Sequence, residues 1–257
     1  MKVDDAYPDS PWSRAPETVT PSVDEVHVWR SSLRLDAERV EKLRRTLCED
    51  ERRRAERFRF PKDREAFTVG RGALRVILGR YLNAPPADLR FSYSPYGKPS
   101  LAPEHGKGEL RFNLSHSGDL ALYAVTKGRE IGIDIEHMRD QLADLQIARR
   151  FFSTEEVAML ASLPEHAQRA AFFNCWTRKE AYIKARGEGL SLPLDKFAVS
   201  LAPGVPAALL SASGDSEEVS RWKLQELAPG PGYVAALAVE GKGWHARCWQ
   251  WLGSEPF

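Results

Sequence analysis

The sequence IGIDIE, residues 131–136, alternates isoleucine with other residues in the two-residue period of a β-strand. Alternate side chains of a strand share one face, so the three isoleucines are expected to face a core. Asp134 and Glu136 would share the other face, about 6–7 Å apart. Two carboxylates at this distance repel each other, and a divalent cation such as Mg²⁺, which prefers oxygen ligands, would relieve the repulsion. The alternative is an exposed strand face that happens to be acidic.

A third carboxylate lies in FFNCWTRKEAYIKARGEGL, residues 172–190, which is rich in helix formers. At about 100° per residue, Glu180 falls between Phe173 and Trp176 on the helix surface, within its apolar face. A buried carboxylate normally has a partner, a metal ion or a shifted pKa. The alternative is a surface ion pair with Lys184, one turn later. If Glu180 joined Asp134 and Glu136, the three would form a metal site from two elements.

Arginines cluster in the first half of the sequence. A dense run, Arg52–Arg54 with Arg57, precedes a predicted helix that carries Arg64, Arg71 and Arg75. Guanidinium groups bind phosphate in a bidentate manner, whereas a run of charges is also typical of a solvated helix face. Both interpretations stay open for the run, and the apolar stripe beside Arg71 favours a functional role there.

The segment NLSHSG, residues 113–118, ends a predicted strand at a turn. Ser115 and His116 could donate hydrogen bonds to phosphate, or could serve the turn itself. A Ser-His-Asp triad is possible in principle, but the sequence has no GxSxG elbow. It also has no Walker A loop and no GxGxxG fingerprint.

Composition limits the classes of protein. The 257 residues are 42% hydrophobic and 28% charged, which is ordinary for a globular protein, and the net charge of +1 gives no overall signal for nucleic acid binding. Three scattered cysteines fit a reducing compartment. With neither a signal peptide nor a membrane span in the pattern, we predict a cytoplasmic protein without a membrane partner.

The order of elements predicts two similar α+β halves. The first would contain a strand, helices and a hairpin, and the second a strand, helices and three terminal strands. In two segments, 117–125 and 230–239, a predicted strand follows a glycine, which suggests a weak internal repeat. We predict a flexible tail over 1–22, an N-terminal half over 23–129 and a C-terminal half over 130–257.

Several short motifs occur together and in one order. They are YGKP (96–99), FNLSHSG (112–118), IGIDIE (131–136), FFSTEE (151–156), WTRKEAYIK (176–184) and GLSLPLD (189–195). This ordered set resembles the Sfp-type 4′-phosphopantetheinyl transferases, whose signature is approximately G-[IV]-D, then F-S-x-x-E, then W-x-x-K-E-A with a Lys four residues after the Glu.

The resemblance implies a duplicated, pseudo-twofold α+β fold in which an antiparallel sheet in each half is packed by helices. Coenzyme A would bind between the halves. The enzyme would transfer 4′-phosphopantetheine to a serine of an acyl or peptidyl carrier protein, release adenosine 3′,5′-bisphosphate and depend on Mg²⁺, with Mn²⁺ as a possible substitute. A monomer is expected, because the halves would already pair with each other.

The resemblance also implies residue roles. Asp134, Glu136 and Glu180 match the metal-binding acids, with Asp134, Glu180 and Lys184 as catalytic residues and Glu180 as the base for the carrier serine. Glu156 matches the acid of the F-S-x-x-E motif. The predicted contacts to coenzyme A are Arg54, Arg71, Arg75, Lys98, Pro99, Ser115, His116, Lys179 and Lys184. Among the arginines, Arg71 and Arg54 are favoured for the 3′-phosphate. A Mg²⁺-dependent phosphoesterase and a non-catalytic module that binds coenzyme A or a carrier are the alternatives.

Overall fold

The computed structural model describes residues 12–106, 109–139, 145–212 and 214–253. The first main sheet combines β1 (Ser13–Arg14), β2 (Glu25–Ser32), β5 (Leu110–Ser117), β6 (Leu120–Lys127) and β12 (His245–Trp251). Their spatial order is β1-β12-β2-β6-β5. Two short strands, β3 (Phe91–Tyr93) and β4 (Pro99–Leu101), form a separate antiparallel pair.

Three helices of the first half are α1 (Ala37–Thr46), α2 (Glu49–Glu56) and α3 (Pro61–Leu82). Asp36 caps α1 by accepting a hydrogen bond from the backbone N–H of Arg39 at 2.9 Å. Pro61 stands in the first turn of α3, where its missing N–H costs no helical hydrogen bond. The apolar stripe of α3 packs with Trp29 and Leu43 in a core between the helices and the first sheet.

The second main sheet is antiparallel in the order β10-β11-β7, with β7 (Ile131–His137), β10 (Trp222–Leu227) and β11 (Tyr233–Glu240). Around it lie α4 (Leu145–Phe151), α5 (Thr154–Ser162), α6 (Glu165–Arg186), α7 (Ser216–Arg221) and the pair β8 (Phe197–Val199) and β9 (Leu209–Ala212). A capping box begins α5, since Ser153 and Glu156 exchange side-chain to backbone hydrogen bonds there.

The two sheets face each other across a shared core. Val26 and Leu122 of the first sheet belong to the same buried cluster as Ile133 and Leu237 of the second. The three isoleucines of β7 are completely buried there, as the alternation of the sequence predicted. The side chains on the other face of β7 therefore point away from this core.

Strand β5 lies beside β7 and is joined to it through side chains. The Asn113 side-chain carbonyl accepts a hydrogen bond from the Ile133 N–H at 2.9 Å, and the Ser117 hydroxyl accepts one from the His137 N–H at 3.0 Å. Because alternate residues of β5 point toward β7, its polar residues form one row along the boundary between the sheets.

Helix α6 crosses β7 at Gly132. A Cβ atom built on this glycine would overlap the backbone of Ala181 and Ala185 and lie 2.9 Å from the Lys184 carbonyl carbon. Real Cβ atoms do not tolerate such distances, so the close approach of helix and strand requires glycine here. The contact places α6 directly against the strand that carries Asp134 and Glu136.

Two parts of the predicted organisation need correction. The first sheet is mixed, because β12 runs parallel to β2 and β1 runs parallel to β12. The chain leaves β11 through residues 241–244 and enters the other sheet instead of closing a hairpin in its own. The predicted C-terminal half, 130–257, is therefore not self-contained.

The predicted flexible tail, 1–22, is wrong for residues 12–22. Trp12 and Val19 are buried, and the Trp12 indole N–H donates to the Ala228 carbonyl at 2.6 Å. These two apolar anchors hold a segment whose Pro, Ser and Thr content suggested disorder. Residues 1–11 lie outside the described residues. No helix within the described ranges has the length and apolar character to cross a membrane.

We expect Gly132→Ala to destabilise the protein, because the added methyl group meets backbone atoms that cannot rotate away. Overpacking of this kind typically costs about 1–3 kcal/mol. The measurement is the free energy of unfolding in denaturant, with Gly70→Ala on α3 as the control. A Cβ at Gly70 meets the nearest atom, Leu33 Cδ2, at 3.6 Å. Alanine there should be neutral or stabilising by up to about 1 kcal/mol. Equal effects at the two positions would contradict the close-approach explanation.

Candidate active site

The acidic face of β7 is buried against β5. Asp134 is 3% exposed, and its Oδ1 accepts a hydrogen bond from the Ser115 hydroxyl at 2.8 Å. Glu136 Oε2 accepts one from the Ser117 hydroxyl at 2.8 Å. The interpretation of this face as an exposed acidic surface is therefore wrong for Asp134, and each acid has a hydroxyl partner on the neighbouring strand.

The C-terminal half of α6 adds Glu180 and Lys184 to these acids. Most of this helix is buried on all sides, and Trp176, Glu180 and Lys184 form a half-buried stripe at four-residue spacing. Lys184 Nζ donates to Asp134 Oδ1 at 2.6 Å and to the Ser115 hydroxyl at 3.0 Å. The apolar face that was predicted around Glu180 is therefore part of a wider buried surface of the helix. The ion-pair partner of Lys184 is Asp134 and not Glu180.

The three carboxylates affect one another electrostatically. Burial raises the pKa of Glu180, and the charge of Asp134 raises it further against the opposing charge of Lys184. Burial also raises the pKa of Glu136, where the Ser117 hydrogen bond opposes the rise and the charge of Asp134 adds to it. The site therefore carries more negative charge than Lys184 alone balances.

The chemistry of these donors suits a hard divalent cation. Asp134 Oδ2 is buried and has no hydrogen-bond partner among the described residues. Among the described residues, no three His, Cys, Asp or Glu side chains are already arranged as a metal site. The other oxygen of Asp134, Oδ1, accepts the hydrogen bond from Lys184. The buried oxygen without a partner and the mutual repulsion of the carboxylates are both conditions that a bound cation would relieve.

Ser115 and His116 lie at the same end of β5. Ser115 is buried between Asp134 and Lys184, which makes it part of the cluster rather than only a turn residue. His116 points to the surface. Desolvation and, after it, the charge of Lys184 lower the pKa of His116. Both residues therefore interact with Asp134 and Lys184.

An arginine-rich cavity of about 790 Å³ opens between α2, α3 and β3. Its lining includes Arg45, Arg52, Arg54, Arg71, Arg75 and Arg90. Glu51 lies beneath it and accepts hydrogen bonds from Arg71 Nε at 2.8 Å and from Arg75 Nε at 2.7 Å. Burial alone would raise the pKa of Glu51, but the two arginines, Arg75 foremost, hold it below its usual range.

The arginines of this cavity differ in what they offer to a ligand. Arg75 is 1% exposed and its Nη1 donates to the carbonyls of Pro86 and Leu89, so the side chain is buried and held by the protein at both Nε and Nη1. Arg71 donates to Glu51 and to the Tyr93 hydroxyl and still lines the cavity. Arg54 is exposed and lies over the Phe67 ring. We therefore withdraw Arg75 from the predicted coenzyme A contacts and keep Arg71 and Arg54.

Lys179 is withdrawn for the same reason. It is completely buried, pairs with Glu156 at 2.7 Å and donates to the carbonyls of Leu194 and Phe197. Glu156 in turn accepts a hydrogen bond from the Val199 N–H at 2.7 Å. The helical position next to Glu180 suggested a substrate contact, but a one-residue step turns the side chain by about 100°, into the core. The acid of the FFSTEE motif and this lysine fix α6 to α5 and β8.

Lys98 and Pro99 line a second cavity, of about 350 Å³, at the boundary between the two halves. Lys98 Nζ donates to the backbone carbonyls of Ala185 at 3.0 Å and Ile131 at 3.1 Å. Its ammonium thus contacts protein, although the loop around it can still face a ligand.

Sequence reasoning missed Ser117, Asn113 and Tyr93. The spacing of Asn113, Ser115 and Ser117 contained a signal, because three alternating polar residues on a strand indicate a polar row facing one neighbour. Tyr93 gave no such signal. Its hydroxyl position next to Arg71 depends on how β3 packs on α3.

Comparison with known proteins identifies the class. Residues 130–238 match the model of the 4′-phosphopantetheinyl transferase superfamily, and residues 34–128 match a 4′-phosphopantetheinyl transferase N-terminal model. The 4′-phosphopantetheinyl transferase HetI of Nostoc sp. is 43% identical over 93% of this chain and 98% of its own length. The Sfp enzyme of Bacillus subtilis is 35% identical over 65% of this chain and 72% of its own length.

A more distant match is the human L-aminoadipate-semialdehyde dehydrogenase-phosphopantetheinyl transferase, at 29% identity over 76% of this chain and 67% of its own length. The chain belongs to the 4′-phosphopantetheinyl transferase superfamily. It is an enzyme that transfers 4′-phosphopantetheine from coenzyme A to carrier proteins, and its fold consists of the two halves of this family.

Proposed function

We propose that Asp134, Glu136, Glu180 and Lys184 form the site at which a carrier serine attacks the pyrophosphate of coenzyme A. The observation that carries this proposal is the convergence of three carboxylates and one ammonium from β7 and α6, beside Ser115. The carriers are acyl or peptidyl carrier proteins, and the second product is adenosine 3′,5′-bisphosphate.

The reaction forms one P–O bond and breaks another. The serine oxygen attacks the phosphorus nearer the pantetheine arm, and the bond from that phosphorus to the bridging oxygen breaks. Glu180, which is half-buried and accepts no hydrogen bond from the described residues, takes the serine proton. Lys184 lies where its ammonium can stabilise the leaving phosphate, which departs with the bridging oxygen. His116 would orient the pyrophosphate by donating a hydrogen bond, and Ser115 would do so once its hydroxyl turns away from Asp134.

Asp134, Glu136 and Glu180 would hold Mg²⁺, with Mn²⁺ as a substitute. When bound, the ion supplies charge neutralisation for the pyrophosphate. One support is the buried Oδ2 of Asp134, which has no hydrogen-bond partner among the described residues. The other is that burial, and after it the charge of Asp134, raises the pKa values of Glu136 and Glu180. Lys184, now on Asp134 Oδ1, is available to turn toward the phosphate once Asp134 has another positive partner.

The arginine-rich cavity would receive the 3′-phosphate of coenzyme A. Arg71 is oriented by Glu51 and Tyr93 with its remaining guanidinium surface toward the cavity, and Arg54 extends over the same opening. Arg64 does not line it. Pro99 and the backbone of its loop would border the adenine.

We expect Glu180→Gln and Asp134→Asn to reduce kcat/KM for carrier modification by about 100-fold or more, the usual contribution of a proton-transfer or charge-stabilising group. The assay is a mass spectrum of an apo carrier after incubation with coenzyme A and Mg²⁺, which should gain the mass of one phosphopantetheine group. Asp134→Asn should also need more Mg²⁺ for half-maximal rate in metal-depleted protein.

Glu165→Gln is the matched control, since Glu165 is exposed at the start of the same helix. Wild-type rates in both site variants would refute the proposed roles. Release of nucleotide from coenzyme A without any carrier would instead support a phosphoesterase, and tight binding of coenzyme A without turnover would support a binding module.

Loss of the cavity arginines should change the selectivity for the 3′-phosphate. A charge-assisted hydrogen bond contributes about 1.5–3 kcal/mol, equivalent to roughly 10-fold to 100-fold in affinity. We expect Arg71→Gln and Arg54→Gln to reduce the ratio of kcat/KM values for coenzyme A and 3′-dephospho-coenzyme A by roughly 10-fold or more each. Arg64→Gln on α3 should leave that ratio unchanged. An unchanged ratio in the first two variants would place the 3′-phosphate elsewhere.

A monomer is proposed, because the shared core between the two sheets already buries the apolar face that a half on its own would expose. Sedimentation equilibrium should give the mass of one chain, and a dimer mass would overturn this expectation. The cytoplasmic location stays a prediction from the sequence.

A further inference from the structure

The loop between β3 and β4 meets the end of α6 at two glycines. A Cβ atom at Gly187 would lie 3.3 Å from Lys98 Cδ, and one at Gly189 would lie 3.3 Å from Tyr96 Cβ. Both glycines have positive φ values, 72° and 57°. Small residues in left-handed conformations therefore let this loop of the first half lie directly on the segment that follows α6 in the second half.

The loop is held in shape by its own hydrogen bonds. The Ser94 N–H donates to the Lys98 carbonyl at 2.9 Å, and the Lys98 N–H donates to the Ser94 hydroxyl at 3.1 Å. Because the turn is closed in this way, the Lys98 side chain leaves it in a defined direction.

Three acceptors surround the Lys98 ammonium. They are the Ala185 carbonyl at 3.0 Å, the Ile131 carbonyl at 3.1 Å and Glu130 Oε2 at 3.4 Å. An ammonium group has three N–H donors, so all of them are used by the protein. The side chain is 19% exposed. A direct contact of this nitrogen with a phosphate would require these bonds to break.

The two carbonyls belong to the elements that build the catalytic site. Ala185 is in the last turn of α6, where carbonyls lack helical partners and a positive charge is favourable. It directly follows Lys184. Ile131 begins β7, three residues before Asp134. One ammonium thus joins the end of α6 to the start of β7, beside Gly132, where helix and strand touch.

We propose that Lys98 is a positioning residue that locks the C-terminal turn of α6 onto β7 from the opposite half of the protein. The lock keeps Glu180 and Lys184 at their distances from Asp134 before coenzyme A binds. It also connects the loop between β3 and β4, which would lie next to the bound nucleotide, to helix α6. The effect on catalysis rests on the proposed function of these acids, whereas the lock itself is a property of the protein without substrate.

The test is Lys98→Met, which keeps the side-chain length and removes the charge and the donors. In protein free of coenzyme A, we expect amide hydrogen exchange at Gly187, Ser191 and Leu192 to rise roughly tenfold or more, from the loss of a charge-assisted hydrogen bond. These three amides donate hydrogen bonds to the carbonyls of Ile183, Glu188 and Gly189, respectively. In the transfer assay kcat should fall by roughly tenfold while the KM for coenzyme A changes little.

A direct role in binding would produce the opposite pattern. The KM for coenzyme A would then rise at constant kcat, and exchange in the substrate-free protein would stay at the wild-type rate, which overturns the proposal. Lys42→Met is the control, because Lys42 on α1 is exposed and pairs with Glu38 on the same helix. It should change neither measurement.

A second variant keeps the test valid if Lys98→Met does not fold. Tyr96 is 58% exposed, so Tyr96→Ala should fold, and it keeps Cβ but removes the ring atoms that lie near Gly189. We expect faster exchange at the same three amides, and wild-type exchange in this variant would count against the lock. The exchange experiment needs no turnover. A protein without transfer activity would therefore refute the proposed function, while the exchange rates would still decide whether Lys98 holds α6 against β7.

Discussion

Helix α6 lies so close to β7 at Gly132 that no side chain fits between their backbones. This contact sets the height of Glu180 and Lys184 above the strand that carries Asp134 and Glu136. The other connections around the site, from the serines of β5 to the ammonium of Lys98, act on a geometry that this approach has already established. A larger residue would lift the helix and separate the two halves of the charged cluster.

Charged residues have two different tasks in this protein. Glu51 with its arginines, and Glu156 with Lys179, are buried ion pairs that fix helices to their neighbours. Such groups are costly to bury, and losing one partner would leave the other unpaired in the core. At the active site the charges are not balanced. Three carboxylates repel one another around a single lysine, which is a cost to stability that a bound cation and a polyanionic substrate would offset.

The boundary between the two halves contributes to the site as much as either half. Ser115 and Ser117 come from the first half, and the acids they contact come from the second. Strand β12 returns from the second half into the first sheet and joins the halves on the side of that sheet away from β5. A substrate bound at the boundary, as proposed, would act on residues whose positions depend on both halves at once.

The sequence by itself determined most elements and the class of protein and gave the candidate acids of the site, because strand alternation, helix periodicity and an ordered set of motifs are local properties. The buried isoleucines of β7 were predicted for that reason. Tertiary structure decided what Lys179, Arg75 and Lys98 do. A motif gives the type and spacing of a residue, but whether its charge meets solvent, a carboxylate or a carbonyl depends on elements distant in sequence. The parallel course of β12 was equally hidden, since strand direction in a sheet follows from chain connections in space.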